Sequence, residues 1–131
     1  MNGEVCWTAD TGYIGETSGG KKFEIYSAIS PSPMEMVLHA HAACSLIDVK
    51  EGLKHRIDNV DNITIKIESE RATESPKVFT SITMKYIVKG TVPEKLVQRL
   101  IESSHEKYCS VGNMITRSGT SLHWSLEMQT D

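Results

Sequence analysis

The first part of the chain consists of short stretches in which apolar and polar positions alternate, separated by glycine and serine. The pieces EVCWTA, GYIGET and KKFEIYS, within residues 4–26, have the period-2 pattern and the aromatic and β-branched content of strands. The pair Gly19-Gly20 between the second and third pieces is typical of a tight hairpin turn. Three short strands are therefore predicted before the first helix.

A helix start follows at residues 32–35, SPME. Here a serine is placed to cap the helix, Pro33 takes the first helical position and a glutamate takes the third, which together form a capping box. The pattern predicts a helix from Pro33 to about Arg56, with Gly52 as its weak point. Up to Val49 this helix is apolar almost all round, which favours burial on most sides, either in the centre of a domain or between two chains.

Two longer alternating stretches predict a β-hairpin. In NITIKIESE and KVFTSITMKYIVKG every second residue of the central part is apolar, which is typical of antiparallel strands with one buried face each. Pro76 lies in the turn between them. The predicted buried positions are Ile63, Ile65 and Ile67 in the first strand and Ile82, Met84 and Tyr86 in the second.

The rest of the chain predicts one more amphipathic helix, a short helix or turn, and a closing strand. Residues 91–94 have the T-x-x-E form of a second capping box, and the helix that they open ends near Tyr108. CSVGNMITRS follows as a short helix or turn, and TSLHWSLEM alternates as a last strand. The buried side of the helix is predicted to carry Leu96, Val97, Leu100, Ile101 and Ser104. The order β-β-β-α-β-β-α-(α)-β indicates a single α+β domain over residues 1–131, with a long central helix packed on sheet.

Composition and charge narrow the class of function. The chain is 39% hydrophobic and 24% charged, with a net charge of -3, and it has no basic stripe. Together with an aromatic content of only 6%, this counts against nucleic-acid binding. The start MNGEVCWTAD lacks the charged and apolar regions of a signal peptide, and no stretch reaches 18 consecutive apolar residues. We therefore expect a cytoplasmic protein without a membrane partner.

Three widely spaced cysteines, Cys6, Cys44 and Cys109, are the candidate reactive groups. An odd number without a secretory signal argues against a disulfide framework. In a reducing compartment such cysteines are buried spectators, metal ligands or catalytic thiols. Cys6 lies in the first predicted strand and is interpreted as structural.

Three segments resemble one known family. SPMEMVLHAHAACSLIDV is similar to the signature helix of the OsmC/Ohr family of small thiol proteins, ESERATESPKVFTSI resembles its following β-hairpin, and EKYCSV resembles the segment with its second cysteine. The resemblance runs from about Gly3 to Glu127 and is closest to the OsmC-like branch. It implies an OsmC-like fold with antiparallel sheets around a long central helix, and an intertwined homodimer in which the central helices of the two chains pack together.

The resemblance also implies a thiol chemistry. Cys44 matches the cysteine that attacks an organic hydroperoxide and becomes a sulfenic acid, and Cys109 matches the cysteine that resolves it as a disulfide. The electrons would come from a small dithiol or a lipoylated protein, with no bound cofactor. The function expected from this match is a thiol-dependent redox protein. The enzyme type that the resemblance implies is a peroxidase of the organic hydroperoxide reductase type, and the activating residues of this chain depart from its pattern.

The departures concern the charges beside the thiol. The peroxidase branches carry a glutamate directly after the proline of the signature helix, where this chain has Met34, and an arginine near the N-terminal hairpin, whereas the first arginine here is Arg56. Glu35 comes one residue later, on the opposite side of the helix from Cys44. Within one chain its role is to close the capping box, and it could face an active site only in a partner chain. Arg71 is the remaining candidate guanidinium, with a surface ion pair as its plainer role.

His41 and Cys109 offer two further ways to stabilise a thiolate. His41 lies three residues before Cys44, about 60° away around the helix, so that the two are neighbours. A protonated His41 would favour the Cys44 thiolate, whereas a buried neutral histidine with one hydrogen bond fits the same position. Cys109 is placed to begin a helical turn, where the helix dipole would favour a thiolate.

Two other classes of function compete with the peroxidase interpretation. His41, Cys44, His105 and Cys109 have helix-compatible spacings that suit a Cys2His2 zinc site. Alternatively, the dimer is a non-catalytic module that binds a small apolar ligand, with the cysteines acting as redox sensors. The methionine-rich start of the helix, Met34 and Met36, suits an adaptable apolar pocket, and it equally suits a core.

Overall fold

The computed structural model describes residues 1–130. The chain divides into two compact units, Met1–Val37 and the remainder from Leu38 onward, and each is described by itself. The prediction of a single domain over residues 1–131 stays a prediction.

The first unit holds a three-stranded antiparallel sheet. The strands are β1 (Gly3–Thr8), β2 (Gly12–Thr17) and β3 (Lys22–Ile25), in that order across the sheet. Gly20 adopts a φ of +84°, which glycine tolerates without strain, and this confirms the predicted hairpin turn. All six residues of β1 are exposed within this chain.

Helix α1 (Pro33–Gly52) begins at the predicted capping box. The Ser32 Oγ accepts a hydrogen bond from the Glu35 backbone N–H at 3.2 Å, and the Glu35 carboxylate accepts one from the Ser32 N–H at 3.1 Å. The helix ends at Gly52 rather than near Arg56, and a short 3-10 helix follows over Lys54–Asn59. At this end a side chain would not fit, because a Cβ at Gly52 would lie 2.4 Å from a methyl of Leu100.

Helix α1 is buried on one side only within this chain. His41, Ala42, Ser45 and Val49 are buried, whereas Val37 and Ile47 are 38% and 66% exposed. The sequence predicts that α1 is buried on most of its sides, and a single chain does not bury it in this way. No helix within residues 1–130 combines the length and apolar character needed to cross a membrane.

The second unit is built on a three-stranded sheet. Strand β4 (Val60–Arg71) pairs antiparallel with β5 (Phe79–Gly90), as predicted, while β6 (Ser121–Gln129) pairs with β5 in parallel. The expectation of purely antiparallel sheets is therefore wrong for this pair. A parallel neighbour needs a long crossover connection, and the helical segment between β5 and β6 supplies it.

The core of this unit lies on one face of β5. Ile82, Met84, Tyr86 and Val88 are fully buried, which confirms the predicted face of this strand. From the helical crossover, Val97 and Ile101 are fully buried too, and Leu96 and Leu100 are half-buried. Burying a side chain of this size contributes about 1.5–3 kcal/mol.

The crossover contains helix α2 (Glu94–Ser103), a π-helical turn (Ser104–Tyr108) and helix α3 (Ser110–Thr116). The predicted capping box at residues 91–94 is wrong, because α2 begins only at Glu94 and its start has no side-chain cap. Pro93 is extended, with a ψ of 126°, and a proline also disfavours helical backbone in the residue before it. The π turn is closed by the Cys109 N–H, which donates to the Ser104 carbonyl at 2.7 Å.

Candidate thiol site

The fold of the second unit brings Cys44 and Cys109 together. Cys44 lies half-buried in the middle of α1, and Cys109 is fully buried where the π turn meets α3. The Cys44 side chain is among the influences that raise the pKa of the Cys109 thiol, so the two thiols are neighbours, and both cysteines are free. The two predicted redox residues therefore form an adjacent pair, although no sequence motif joins them.

Cys109 is fully buried, and its sulfur hydrogen-bonds to backbone groups. Its sulfur accepts a hydrogen bond from the Gly112 N–H at 3.3 Å and lies 3.8 Å from the His41 carbonyl, to which its thiol donates. Cys109 does cap α3, as expected, yet burial raises the pKa of its thiol to about 12, and the Gly112 N–H offsets only part of this. The expectation that the helix start makes Cys109 a thiolate is therefore wrong, since desolvation outweighs the helix dipole.

His41 lies next to Cys109 and is fully buried. Burial lowers the pKa of His41, so that the ring is neutral at physiological pH, which counts against the imidazolium interpretation. A Cβ at Gly112 would fall 2.4 Å from the His41 Nε2 and 3.0 Å from the Cys109 Sγ. Because Gly112 has no side chain, the His41 imidazole and the Cys109 sulfur can both lie close to its Cα.

A buried hydrogen-bonded chain, which the sequence did not reveal, lies beside the thiols. The Ser104 Oγ lies 2.8 Å from a carboxylate oxygen of Asp48 and 2.9 Å from the Ser45 Oγ. The Ser45 Oγ lies 2.5 Å from the Tyr86 hydroxyl, which in turn lies 2.7 Å from the His105 Nε2. The signal that was available is that Tyr86 and Ser104 fall on predicted buried faces, where a polar atom needs a partner.

Burial perturbs the titration of this chain. It lowers the pKa of His105 to about 4, with a smaller contribution from the nearby His41, and it raises the pKa of Tyr86 well above its usual value. Both groups are therefore neutral near pH 7. Within residues 1–130 no group hydrogen-bonds the His105 Nδ1 or either ring nitrogen of His41. The two rings stand nearly perpendicular, with centroids 6.0 Å apart.

The remaining predicted residues lie outside the thiol pair. Glu35 closes the capping box of α1. The Arg71 side chain donates to the Lys77 carbonyl at 2.8 Å and so ties the end of the β4–β5 hairpin. Met34 stands in the first turn of α1, at the position where the peroxidase branches have glutamate. Cys6 is exposed on β1, which does not fit its interpretation as a packed structural residue of this chain.

The side chains are not arranged as a zinc site would require. Among residues 1–130, no group of three or more histidine, cysteine or acidic side chains is placed to hold a metal ion. His41, Cys44, His105 and Cys109 all lie in this region, but the His105 Nε2 faces the Tyr86 hydroxyl.

Two adjacent free thiols on an α+β fold with one long helix define a small dithiol protein. Residues 26–125 match the sequence profile of the family described as OsmC-like protein. The chain belongs to this family, as the resemblance of its cysteine segments indicated.

Individual relatives agree with this assignment. Protein YhfA of Escherichia coli strain K12 is 35% identical over 127 residues, which cover 94% of this chain and 95% of that protein. The crystal structure of a hypothetical protein from Aquifex aeolicus has 31% identity and a TM-score of 0.87, with 99% of this chain and 96% of that chain covered. An organic hydroperoxide resistance protein OsmC from Legionella pneumophila has the same fold, with a TM-score of 0.67 at 14% identity and 97% of each chain covered.

Proposed function

We propose that this protein is a thiol-dependent redox protein that reduces organic hydroperoxides. The observation that supports this most directly is the Cys44–Cys109 pair, in which two free thiols from distant parts of the sequence are close enough for Cys44 to affect the pKa of Cys109. A general redox role also fits the family, since its member from Legionella pneumophila is named for organic hydroperoxide resistance.

The difference in exposure between the two cysteines supports a different role for each. Cys44 is half-buried and accessible to a peroxide, whereas Cys109 is fully buried. The Cys44 thiolate attacks the O–O bond of the hydroperoxide, an alcohol leaves with the proton that the thiol gave up, and Cys44 becomes a sulfenic acid. The Cys109 thiol then attacks the Cys44 sulfur, the hydroxyl leaves as water, and a Cys44–Cys109 disulfide forms. An external dithiol, free or carried on a lipoylated protein, returns two electrons and completes the cycle.

The activating charge at this site differs from that of the better-known peroxidases. The glutamate position holds Met34, the neighbouring His41 is neutral, and Arg71 is bound to its own hairpin. We infer that peroxide reduction is slower than in those enzymes unless a second chain supplies a charge. Glu35 and Arg71 are the candidates for that contribution from a partner.

A homodimer is part of this proposal. Along α1 the positions Val37, Ala40, Ala43 and Ile47 recur every three or four residues, and all four are exposed in the single chain. An exposed apolar strip along a helix is typical of a surface that another chain covers. A second copy of α1 fits it, because the alanines let two backbones approach closely.

The peroxidase proposal is tested by following peroxide consumption. Reduced protein is mixed with cumene hydroperoxide and dithiothreitol, and wild type is compared with Cys44→Ser, Cys109→Ser and, as a control, Cys6→Ser. We expect Cys44→Ser to abolish turnover, Cys109→Ser to form no intramolecular disulfide and to turn over only through direct reaction of its Cys44 sulfenic acid with dithiothreitol, and Cys6→Ser to match wild type. Intact mass and peptide mapping should find a Cys44–Cys109 disulfide in the oxidised protein. Peroxide loss no faster in wild type than in Cys44→Ser would refute the proposal.

A binding module is the second candidate, and an apolar cavity in the first unit favours it. This cavity has a volume of about 600 Å³. Its lining is Val5, Tyr13, Ile25, Tyr26, Pro33, Met36 and Val37. Saturable binding of a fluorescent fatty acid, together with no peroxide turnover, would favour this alternative over the redox function.

A further inference from the structure

Ser104 is bonded to the surroundings of both cysteines. It is fully buried at the start of the π turn. Its hydroxyl lies 2.9 Å from the Oγ of Ser45, the residue that follows Cys44 on α1. Its backbone carbonyl accepts a hydrogen bond from the Cys109 N–H at 2.7 Å. One serine therefore links the backbone of one cysteine to the residue next to the other.

A carboxylate strengthens this link from the side of α1. Asp48 comes one turn after Cys44 on the same side of the helix, and a carboxylate oxygen of Asp48 lies 2.8 Å from the Ser104 Oγ. A hydroxyl has one proton, so Ser104 donates it to the carboxylate and accepts a hydrogen bond from the Ser45 hydroxyl. Hydrogen bonds to a carboxylate are stronger than those between neutral groups. Two oxygens of α1 therefore hold the Ser104 side chain at once.

The bonds of Ser104 contain no atom that reacts. Cys109 also reaches α1 directly, through the bond from its thiol to the His41 carbonyl at 3.8 Å, but that bond is lost once the thiol gives up its hydrogen. Leu100 packs against Gly52 at the end of α1, and apolar packing is not directional. The hydrogen bonds of Ser104 are directional, and the chemistry at sulfur leaves them intact.

The proposed redox cycle depends on the placement of the sulfurs at its resolving step. The Cys109 thiol attacks the sulfenic sulfur of Cys44, an S–S bond forms, the S–O bond breaks, and the hydroxyl leaves with the thiol proton as water. Burial raises the pKa of the Cys109 thiol to about 12, so little thiolate is present to accelerate the attack. The main advantage of Cys109 over a thiol in free solution is therefore its position beside Cys44.

We propose that Ser104 is a positioning residue that sets the distance between the Cys44 and Cys109 sulfurs, with Asp48 as its anchor on α1. This inference rests on the proposed redox function, and the chemistry at sulfur belongs to the two cysteines alone. Thiols that are held in place form their disulfide at a high effective concentration, because little freedom is lost when the bond closes. Without the Ser104 hydroxyl, the π turn and α1 move more independently, and this effective concentration falls.

The test measures the stability of the disulfide against dithiothreitol. Protein is equilibrated in fixed ratios of reduced and oxidised dithiothreitol, alkylated and analysed by mass spectrometry, which gives the equilibrium constant of the exchange. A substitution that weakens both redox forms equally leaves this constant unchanged, so the measurement separates positioning from a general loss of stability. Ser104→Ala removes the hydroxyl. Ser103→Ala removes the same group from the exposed residue before it and is the matched control.

We expect the equilibrium constant of Ser104→Ala to shift towards the reduced protein by about tenfold, which corresponds to about 30 mV. A shift of this size is in the range for the loss of one buried hydrogen bond. The constant of Ser103→Ala should equal that of wild type. After addition of one equivalent of cumene hydroperoxide, dimedone should trap the Cys44 sulfenic acid for longer in Ser104→Ala than in wild type, because resolution by Cys109 is slower.

Asp48 provides a second test outside the buried interior. It lines an open surface pocket of about 430 Å³, where a smaller side chain leaves the packing of the core unchanged. Asp48→Asn keeps an oxygen that can accept the hydrogen bond from Ser104, whereas Asp48→Ala removes it. We expect the equilibrium constant of Asp48→Ala to shift in the same direction as that of Ser104→Ala, and that of Asp48→Asn to lie closer to wild type.

The outcomes separate the positioning role from the redox function. An equilibrium constant within about twofold of wild type in Asp48→Ala, or in folded Ser104→Ala, would overturn the positioning role and leave the redox function intact. Equal shifts in Ser104→Ala and Ser103→Ala would overturn it as well. A wild type that forms no Cys44–Cys109 disulfide would overturn both.

Discussion

At the scale of residues, the thiol site is dominated by desolvation. Cys109 and His41 are fully buried, and for each of them burial is the largest influence on the pKa. Both groups are held in their neutral forms near pH 7. The site therefore differs from one in which neighbouring charge stabilises a thiolate at Cys109.

The buried histidines predict a pH dependence of stability. The pKa of His105 is about 4 in the folded chain against 6.5 for an ordinary histidine, and that of His41 is lowered as well. Below pH 6.5 the unfolded chain takes up protons that the folded chain does not, so the free energy of unfolding falls as the pH falls from 6.5 towards 4. The slope is at most about 1.4 kcal/mol per pH unit for each proton. Urea unfolding at pH 7.5, 6.5, 5.8 and 5.2 measures it.

The variant His105→Gln isolates this contribution, because its amide keeps a hydrogen-bonding group beside Tyr86. We expect its free energy of unfolding to fall less steeply with pH than that of wild type. The exposed His55, changed to Gln, is the control for losing a histidine at the surface. Parallel curves for wild type and His105→Gln would contradict the explanation.

At this scale the sequence predicted the thiols better than their surroundings. Cys44 and Cys109 were identified from their segments, and the structure brings them together. The partners of Tyr86 and Ser104 were not predictable, because they come from different elements whose packing no local pattern encodes. The sequence also suggested that a helix start would favour a Cys109 thiolate, and only the burial of the sulfur shows why this fails.

At the scale of elements, local capping rules worked at one helix and failed at the other. The box at the start of α1 forms both reciprocal hydrogen bonds, whereas Thr91 makes no cap for α2. The difference lies with the prolines. Pro33 takes the first helical position, which suits a proline. If Thr91 were the cap of α2, Pro93 would be the second helical residue, and instead it stays extended.

This contrast gives a paired prediction. Ser32→Ala should lower the free energy of unfolding by about 1 kcal/mol, the usual cost of losing an N-cap side chain. Thr91→Ala removes the same kind of hydroxyl where no cap bond exists, and we expect a change of less than about 0.5 kcal/mol. Chemical denaturation followed by circular dichroism measures both. Equal losses in the two variants would mean that the box at α1 adds no stability of its own.

The order of the elements was predictable, and their ends and pairings were less so. The sequence pattern predicts each strand and α-helix, but α1 ends at Gly52, where a methyl of Leu100 occupies the space of a side chain. Likewise β6 pairs in parallel with β5 because a helical crossover separates them. An alternating pattern of apolar and polar residues does not determine the direction in which a strand pairs. Both corrections come from contacts between elements that are distant in the sequence.

At the scale of the whole molecule, the strip of Val37, Ala40, Ala43 and Ile47 is an apolar surface of α1 that the single chain leaves exposed. Ile47 is 66% exposed there, and it lies at the edge of an open pocket of about 360 Å³. A soluble single chain would leave this apolar surface in water. The proposed homodimer would cover it.

The dimer is tested by placing a charge in this strip. Ile47→Glu should shift the protein from dimer to monomer in sedimentation velocity, because a buried unpaired carboxylate costs several kcal/mol. Lys54→Glu, on the exposed 3-10 helix, introduces the same charge outside the strip and should leave the sedimentation coefficient unchanged. A monomeric wild type, or a dimer that persists in Ile47→Glu, would contradict the arrangement.

The π turn at Ser104–Tyr108 has a consequence for the spacing of the chain itself. Its wider winding, closed by the bond from the Cys109 N–H to the Ser104 carbonyl, inserts one residue relative to a regular helix. Each residue of an α-helix rotates the chain by about 100°. Deleting one residue here would restore regular winding and turn Cys109 away from Cys44, while Ser104 kept its place. The number of residues between the serine and the cysteine is therefore itself under constraint, whatever side chains fill the interval.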